Sequence, residues 1–162
     1  MVIDQKVLNE LIEARSCADE GNVGLMSYSL IRASQYAKDV GQNVSEQRKE
    51  IENLGYKNGI PVALAEARED AEEGDAEEME VYLSSASRYA EEIGVDISEQ
   101  INEIENLGYK NAIPLNLAEA RSCAEDGEIS NMQIILGMAN DYAHKIGQDI
   151  STEVTGIEAL VL

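Results

Sequence analysis

Residues 51–61 read IENLGYKNGIP, and residues 104–114 read IENLGYKNAIP. The echo extends well beyond these letters. Glu13-Ala14-Arg15 returns as Glu66-Ala67-Arg68 and as Glu119-Ala120-Arg121, each 53 positions after the last. The same step links Gly21, Gly74 and Gly127, then Gly41, Gly94 and Gly147, then Tyr36, Tyr89 and Tyr142. No insertion breaks the register. Self-similarity at a fixed period is the mark of a repeat architecture. The chain therefore reads as three tandem modules, 1–53, 54–106 and 107–162.

Each module is expected to hold three helices. Helix A sets Ile60, Leu64, Ala67 and Ala71 on one face at a 4-3-4 spacing, matched by Val7, Leu11, Ala14 and Ala18 and by Ile113, Leu117, Ala120 and Ala124. Gly74 and its counterparts supply the left-handed residue that stops it. Helix B carries Met79, Leu83, Ala86, Ala90 and Ile93, and Gly94 ends it. Mid-stripe alanines let the two helix axes approach closely. The A–Gly–B part resembles the helical hairpin of tetratricopeptide repeats, whose period of about 34 residues this chain does not share. Helix C begins at Ser98 as N-cap, runs through Ile101, Ile104 and Leu107 and stops at Gly108. Arg48 stands where Ile101 would be, so the first helix C should be less buried there.

On this reading ENLGYKN is a junction. Leucine closes helix C, glycine is its C′ residue, and Asn58 or Asn111 caps the next helix A. Pro61 or Pro114 then falls in the first turn, where proline is tolerated. Nine helices result, as a stacked array or as joined three-helix bundles. The alternative is that C and the following A form one long helix kinked at the proline. Modules of about 50 residues bury little alone, so they are expected to pack on one another.

Thirty-two acidic residues against twelve basic ones give a net charge of −20. Direct nucleic-acid binding needs Lys and Arg to displace counterions and is disfavoured, as is an anionic membrane surface. With no apolar run of membrane-spanning length and no apolar leader, a soluble cytoplasmic protein is expected.

Few residues offer chemistry. Cys17 and Cys123 occupy equivalent places two modules apart, too distant for a disulfide and too few for zinc, so half-buried thiols are expected. His144, the only histidine, stands at a surface position with no triad partners. Arg15, Arg68 and Arg121 recur with Asp19, Glu72 and Glu125 four residues on, and with Glu52, Glu105 and Glu158 on helix C; bridges between helices A and C are expected. Tyr56, Tyr109 and the helix B tyrosines are expected to pack between modules. No catalytic, cofactor-binding or metal-ligating set emerges, and no enzyme is expected. Two features point to partners. Acid gathers around the second A–B turn, including Glu72, Glu73, Asp75 and Glu77. In the third module Ile134, Ile135 and Met138 crowd a helix B whose outer face should be polar in a terminal module. These seven residues are the candidate partner-binding set. The expected role is a scaffold that binds a protein partner, basic in character, or a second copy through the third module. The alternatives are an acidic mimic of nucleic acid that occupies a basic nucleic-acid-binding protein, and divalent-cation binding by the acidic cluster.

Overall fold

The computed structural model describes residues 3–161. It is all-helical: α1 Gln5–Asp19, α2 Val23–Asp39, α3 Ser45–Glu73, α4 Ala76–Ile93, α5 Ser98–Glu125, α6 Ile129–Lys145 and α7 Ser151–Glu158, followed by a 3-10 turn at Ala159–Val161. There is no strand among the described residues. None of the helices is long and apolar enough to cross a membrane.

Among the described residues seven α-helices stand where nine were expected, because helix C runs without a break into the next helix A. Pro61 and Pro114 lie inside α3 and α5, not at helix starts. Proline inside a helix forfeits one hydrogen bond. The glycine, tyrosine and asparagine of the repeated heptapeptide all make tertiary contacts that hold the segment helical. A Cβ on Gly55 would run into Met26 Sδ and stand 3.4 Å from Ala18 Cβ; a Cβ on Gly108 would run into Met79 Sδ and stand 3.3 Å from Ala71 Cβ. These glycines are crossing points for a neighbouring helix, not helix stops. Asn58 Nδ2 donates to the Ala18 carbonyl at 3.0 Å, and Asn111 Nδ2 to the Ala71 carbonyl at 2.9 Å. Each asparagine thus adds a second donor to a carbonyl at the end of an earlier helix A, which already accepts from the N–H of the stop glycine, and does not cap its own helix. Tyr56 stacks on Tyr89 at 5.7 Å, and Tyr109 on Tyr142 at 5.2 Å between ring centroids.

The residues divide into two compact units, Met1–Ala65 with Leu83–Ile97, and Glu66–Tyr82 with Ser98–Leu162. In the first, α1 and α2 pack along each other and close a core of Val7, Leu11, Ala14 and Ala18 against Met26, Leu30, Ala33 and Ala37, with Val44 and Ile51 joining from beyond α2. In the second, α5 packs along α6. Ala120, Ala124, Met132 and Leu136 meet Ile157 of α7, and Ile113 meets Ala139, Ala143 and Ile150. These are the stripes the periodicity marked. All six expected stop glycines have positive φ, between 67° and 80°.

Two local expectations are corrected. Ser98, expected as an N-cap, is the first helical residue of α5, as its counterparts Ser45 and Ser151 are of α3 and α7; the N–H groups of Ser45 and Ser151 donate to Asn43 Oδ1 and Asp149 Oδ1, both at 2.9 Å. The A–C arginine bridges form with the acids two places earlier, Arg15–Glu50 at 2.9 Å and Arg68–Glu103 at 2.8 Å. Two helical positions amount to more than half a turn, so Glu52 faces elsewhere and pairs with Arg48 within its own helix at 2.8 Å. That pair accommodates Arg48 where the related module has Ile101. The position corresponding to Glu103 in the third module is Gly156, so no acid stands there for Arg121.

Candidate partner-binding groove

The turn between α3 and α4 lies entirely within the second unit. Gly74, at φ 80°, reverses the chain, and the space a side chain would need there is taken by Leu115 Cδ1 at 2.7 Å and Asn111 O at 3.2 Å. Asp75 Oδ1 accepts from the Glu78 N–H at 3.1 Å and caps α4. Beside this turn runs an open groove of ≈ 380 Å³. Its rim carries Glu73, Asp75 and Glu77 from the turn and Glu119 from α5. Leu115, Met138 and Tyr142 form its apolar floor, with Ala76 and Ala112 where larger side chains would fill it. Asn116 also lines it; its Nδ2 is shut off from solvent without a hydrogen-bond partner.

Four of the seven expected partner-binding residues therefore converge here: Glu73, Asp75, Glu77 and Met138. The other three do not line it. Glu72 is exposed nearby, Ile134 is 64% exposed on α6, and Ile135 packs partly into the Met132–Leu136–Ile157 cluster. Leu115, Asn116 and Glu119 were not singled out as partner-binding from sequence, and Tyr142 was expected only to pack between modules. Their signal is weak: only Leu115, apolar yet 53% exposed, departs from ordinary patterning.

Tyr142 leads from the groove to a polar cluster in the same unit. Lys145 Nζ donates to Glu80 Oε1 at 2.7 Å and to the Tyr109 hydroxyl at 2.9 Å, and that hydroxyl donates to Glu80 Oε1 at 2.7 Å. The ammonium also stands 4.4 Å from the Tyr109 ring centroid, in cation–π range. Hydrogen bonds from Lys145 and then Tyr109 lower the Glu80 pKa. Burial, against the opposing pull of Lys145, pushes Tyr109 from the usual value of 10.0 up to about 12. A raised folded pKa contributes stability in full below the unfolded value and loses it as pH rises toward the folded one. Tyr109 therefore stabilises the fold up to about pH 10 and ceases to by about pH 12. Glu80, shifted downward, contributes above the ordinary carboxylate range and loses its contribution as pH falls through its folded pKa. Absorbance titration of the phenols should show one late component near pH 12 that Tyr109→Phe removes; a titration unchanged by that substitution would count against this cluster.

The remaining candidates are bland. Cys17 and Cys123 are free and half-buried, and burial followed by neighbouring carboxylates raises both thiol pKa values, which keeps them poor nucleophiles. His144 is exposed. Among the described residues no three His, Cys, Asp or Glu side chains converge as a metal site. No protein-family model matches the chain, and no curated protein or solved structure matches it either.

Proposed function

We propose that the chain is a non-enzymatic scaffold of three helical modules, 1–53, 54–106 and 107–162, which binds a basic protein partner. The tandem reading is supported by contacts that recur 53 residues apart: Met26 and Met79 at the crossing glycines, Asn58 and Asn111 on helix-end carbonyls, and the Tyr56–Tyr89 and Tyr109–Tyr142 stacks. The binding reading rests on one observation above all, the meeting in one groove of carboxylates without ion-pair partners and an apolar lining of exposed Leu115 with half-buried Met138 and Tyr142. Among the described residues Glu73, Asp75, Glu77 and Glu119 enter no ion pair, whereas Glu80 beside them is held by Lys145. At a net charge of −20, like charges around an apolar floor repel one another until a cation arrives.

The acidic-mimic alternative uses the charge alone, and salt separates the two. Proteins captured by the immobilised chain would be purified and rebound at low and at high ionic strength, with wild type and with Met138→Ser. A scaffold retains part of its binding at high salt and loses that part with Met138→Ser. Binding that vanishes with salt and ignores the substitution belongs to a mimic.

A further inference from the structure

The groove beside Gly74 differs in its packing from the corresponding place in the first module, and the difference identifies what it accepts. At the earlier turn, Val23 and Tyr89 close on Gly59: a Cβ there would stand 2.6 Å from Val23 Cγ2 and 3.3 Å from Tyr89 Cδ2. Residues 20–24 read EGNVG, with one carboxylate. At the later turn, residues 73–77 read EGDAE, with three. Val23 is replaced there by Ala76 and Gly59 by Ala112. Serine at position 85 gives way to Met138, which joins Leu115 and Tyr142 on the floor. The second site thus has more acid on its rim and more apolar surface beneath it.

We propose that this groove is the docking site, on this chain, for a short segment of another protein in which an apolar side chain is flanked by lysines or arginines. This deepens the scaffold reading and rests on it. The apolar side chain seats against Leu115, Met138 and Tyr142. The flanking cations meet Glu73, Glu77 and Glu119, while Asp75 keeps one oxygen on the α4 N-terminus. A second copy of this chain is the wrong occupant, because its surface brings the same excess of carboxylates to a rim of carboxylates. Charge alone is also insufficient: oligolysine complements the rim and leaves the floor exposed to water. Among the described residues this combination of lining residues stands at one turn, so one peptide is expected to bind per protein molecule.

The test uses the full chain and two fluorescein-labelled peptides of equal charge, Lys-Lys-Leu-Leu-Lys-Lys and Lys-Lys-Gly-Gly-Lys-Lys. Anisotropy titration should show the leucine peptide binding more tightly, with one site per chain. Met138→Ser, which installs the residue the chain uses at position 85, should weaken the leucine peptide about tenfold and the glycine peptide little. The double variant Glu77→Gln/Glu119→Gln alters exposed side chains only and cannot fail through the core; it should weaken both peptides and flatten their salt dependence. Equal binding of the two peptides, or leucine-peptide binding indifferent to both variants, overturns the groove and leaves the basic-partner reading standing. Failure of both peptides to bind the wild-type chain overturns both readings. Self-association of the unliganded chain that Met138→Ser abolishes would assign the groove to a second copy and overturn this occupant.

Discussion

Gly21→Ala is expected to destabilise the fold by about 3 kcal/mol, and Gly41→Ala by only about 1 kcal/mol, although both glycines are helix stops at nearly the same φ. The backbone term is shared. At φ 72° and 67° an L side chain is disfavoured by roughly 1–2 kcal/mol, part of which the stiffer unfolded alanine chain offsets. The surroundings separate them. A Cβ at Gly41 meets nothing within 4 Å, whereas at Gly21 it would stand 2.7 Å from the Asn58 carbonyl oxygen and 3.0 Å from Val62 Cγ2. The first of these atoms is backbone and cannot rotate away. Moving it would shift α3 where Asn58 Nδ2 holds the Ala18 carbonyl at 3.0 Å and Gly59 lies under Val23. Overpacking of that kind adds roughly 1–3 kcal/mol. Urea unfolding of the two variants beside wild type reads the difference directly. Equal midpoint shifts would mean that the turn and the long helix do not approach as closely as described.

The contrast between these two glycines shows where sequence reading succeeds and where it stops. Gly21 and Gly41 were both legible as stops, since a helical stripe ends at each and a left-handed residue must follow. Gly55 and Gly108 look the same in the sequence: a leucine that closes an apolar stripe, then glycine. Glycine serves two physical needs, a positive φ and the absence of a side chain where another helix crosses. Only the partner decides between them, and Met26 and Met79 lie 29 residues away in the sequence. The same limit explains Asn58, a good local cap whose amide instead serves a carbonyl 40 residues earlier. It explains the arginine bridges as well: the choice of Glu50 over Glu52 depends on the rotation of α3 against α1, and repetition alone leaves that rotation free. The groove was half legible. Its acids and Met138 stood out as departures of one module from its siblings, a comparison needing no coordinates. Leu115, Tyr142 and Asn116 repeat or vary without emphasis, and their role depends on α5 and α6 bringing them beside the α4 turn.

If Gly108 is a crossing point, its substitution by alanine should change sign with the residue opposite. Met79 is fully buried, and Met79→Ala leaves a cavity that costs about 3 kcal/mol. Gly108→Ala alone drives a methyl into Met79 Sδ with Ala71 Cβ close behind; the clash exceeds the gain of about 1 kcal/mol that alanine brings to a helix interior, and the net effect is destabilising. In the Met79→Ala background the obstruction is gone. The new methyl then partly fills the cavity while the helix-propensity gain remains, so Gly108→Ala should recover about 1 kcal/mol. The coupling between the two sites should accordingly exceed about 1 kcal/mol, well above the few tenths expected of independent positions. Four proteins measured by chemical denaturation close the cycle, and Met26 with Gly55 provides a second, separate cycle in the other unit. A glycine that merely ended a helix would respond identically in both backgrounds. Additive results in the two cycles would return the heptapeptide to a break between helices and withdraw the account of α3 and α5 as continuous helices held by what crosses them.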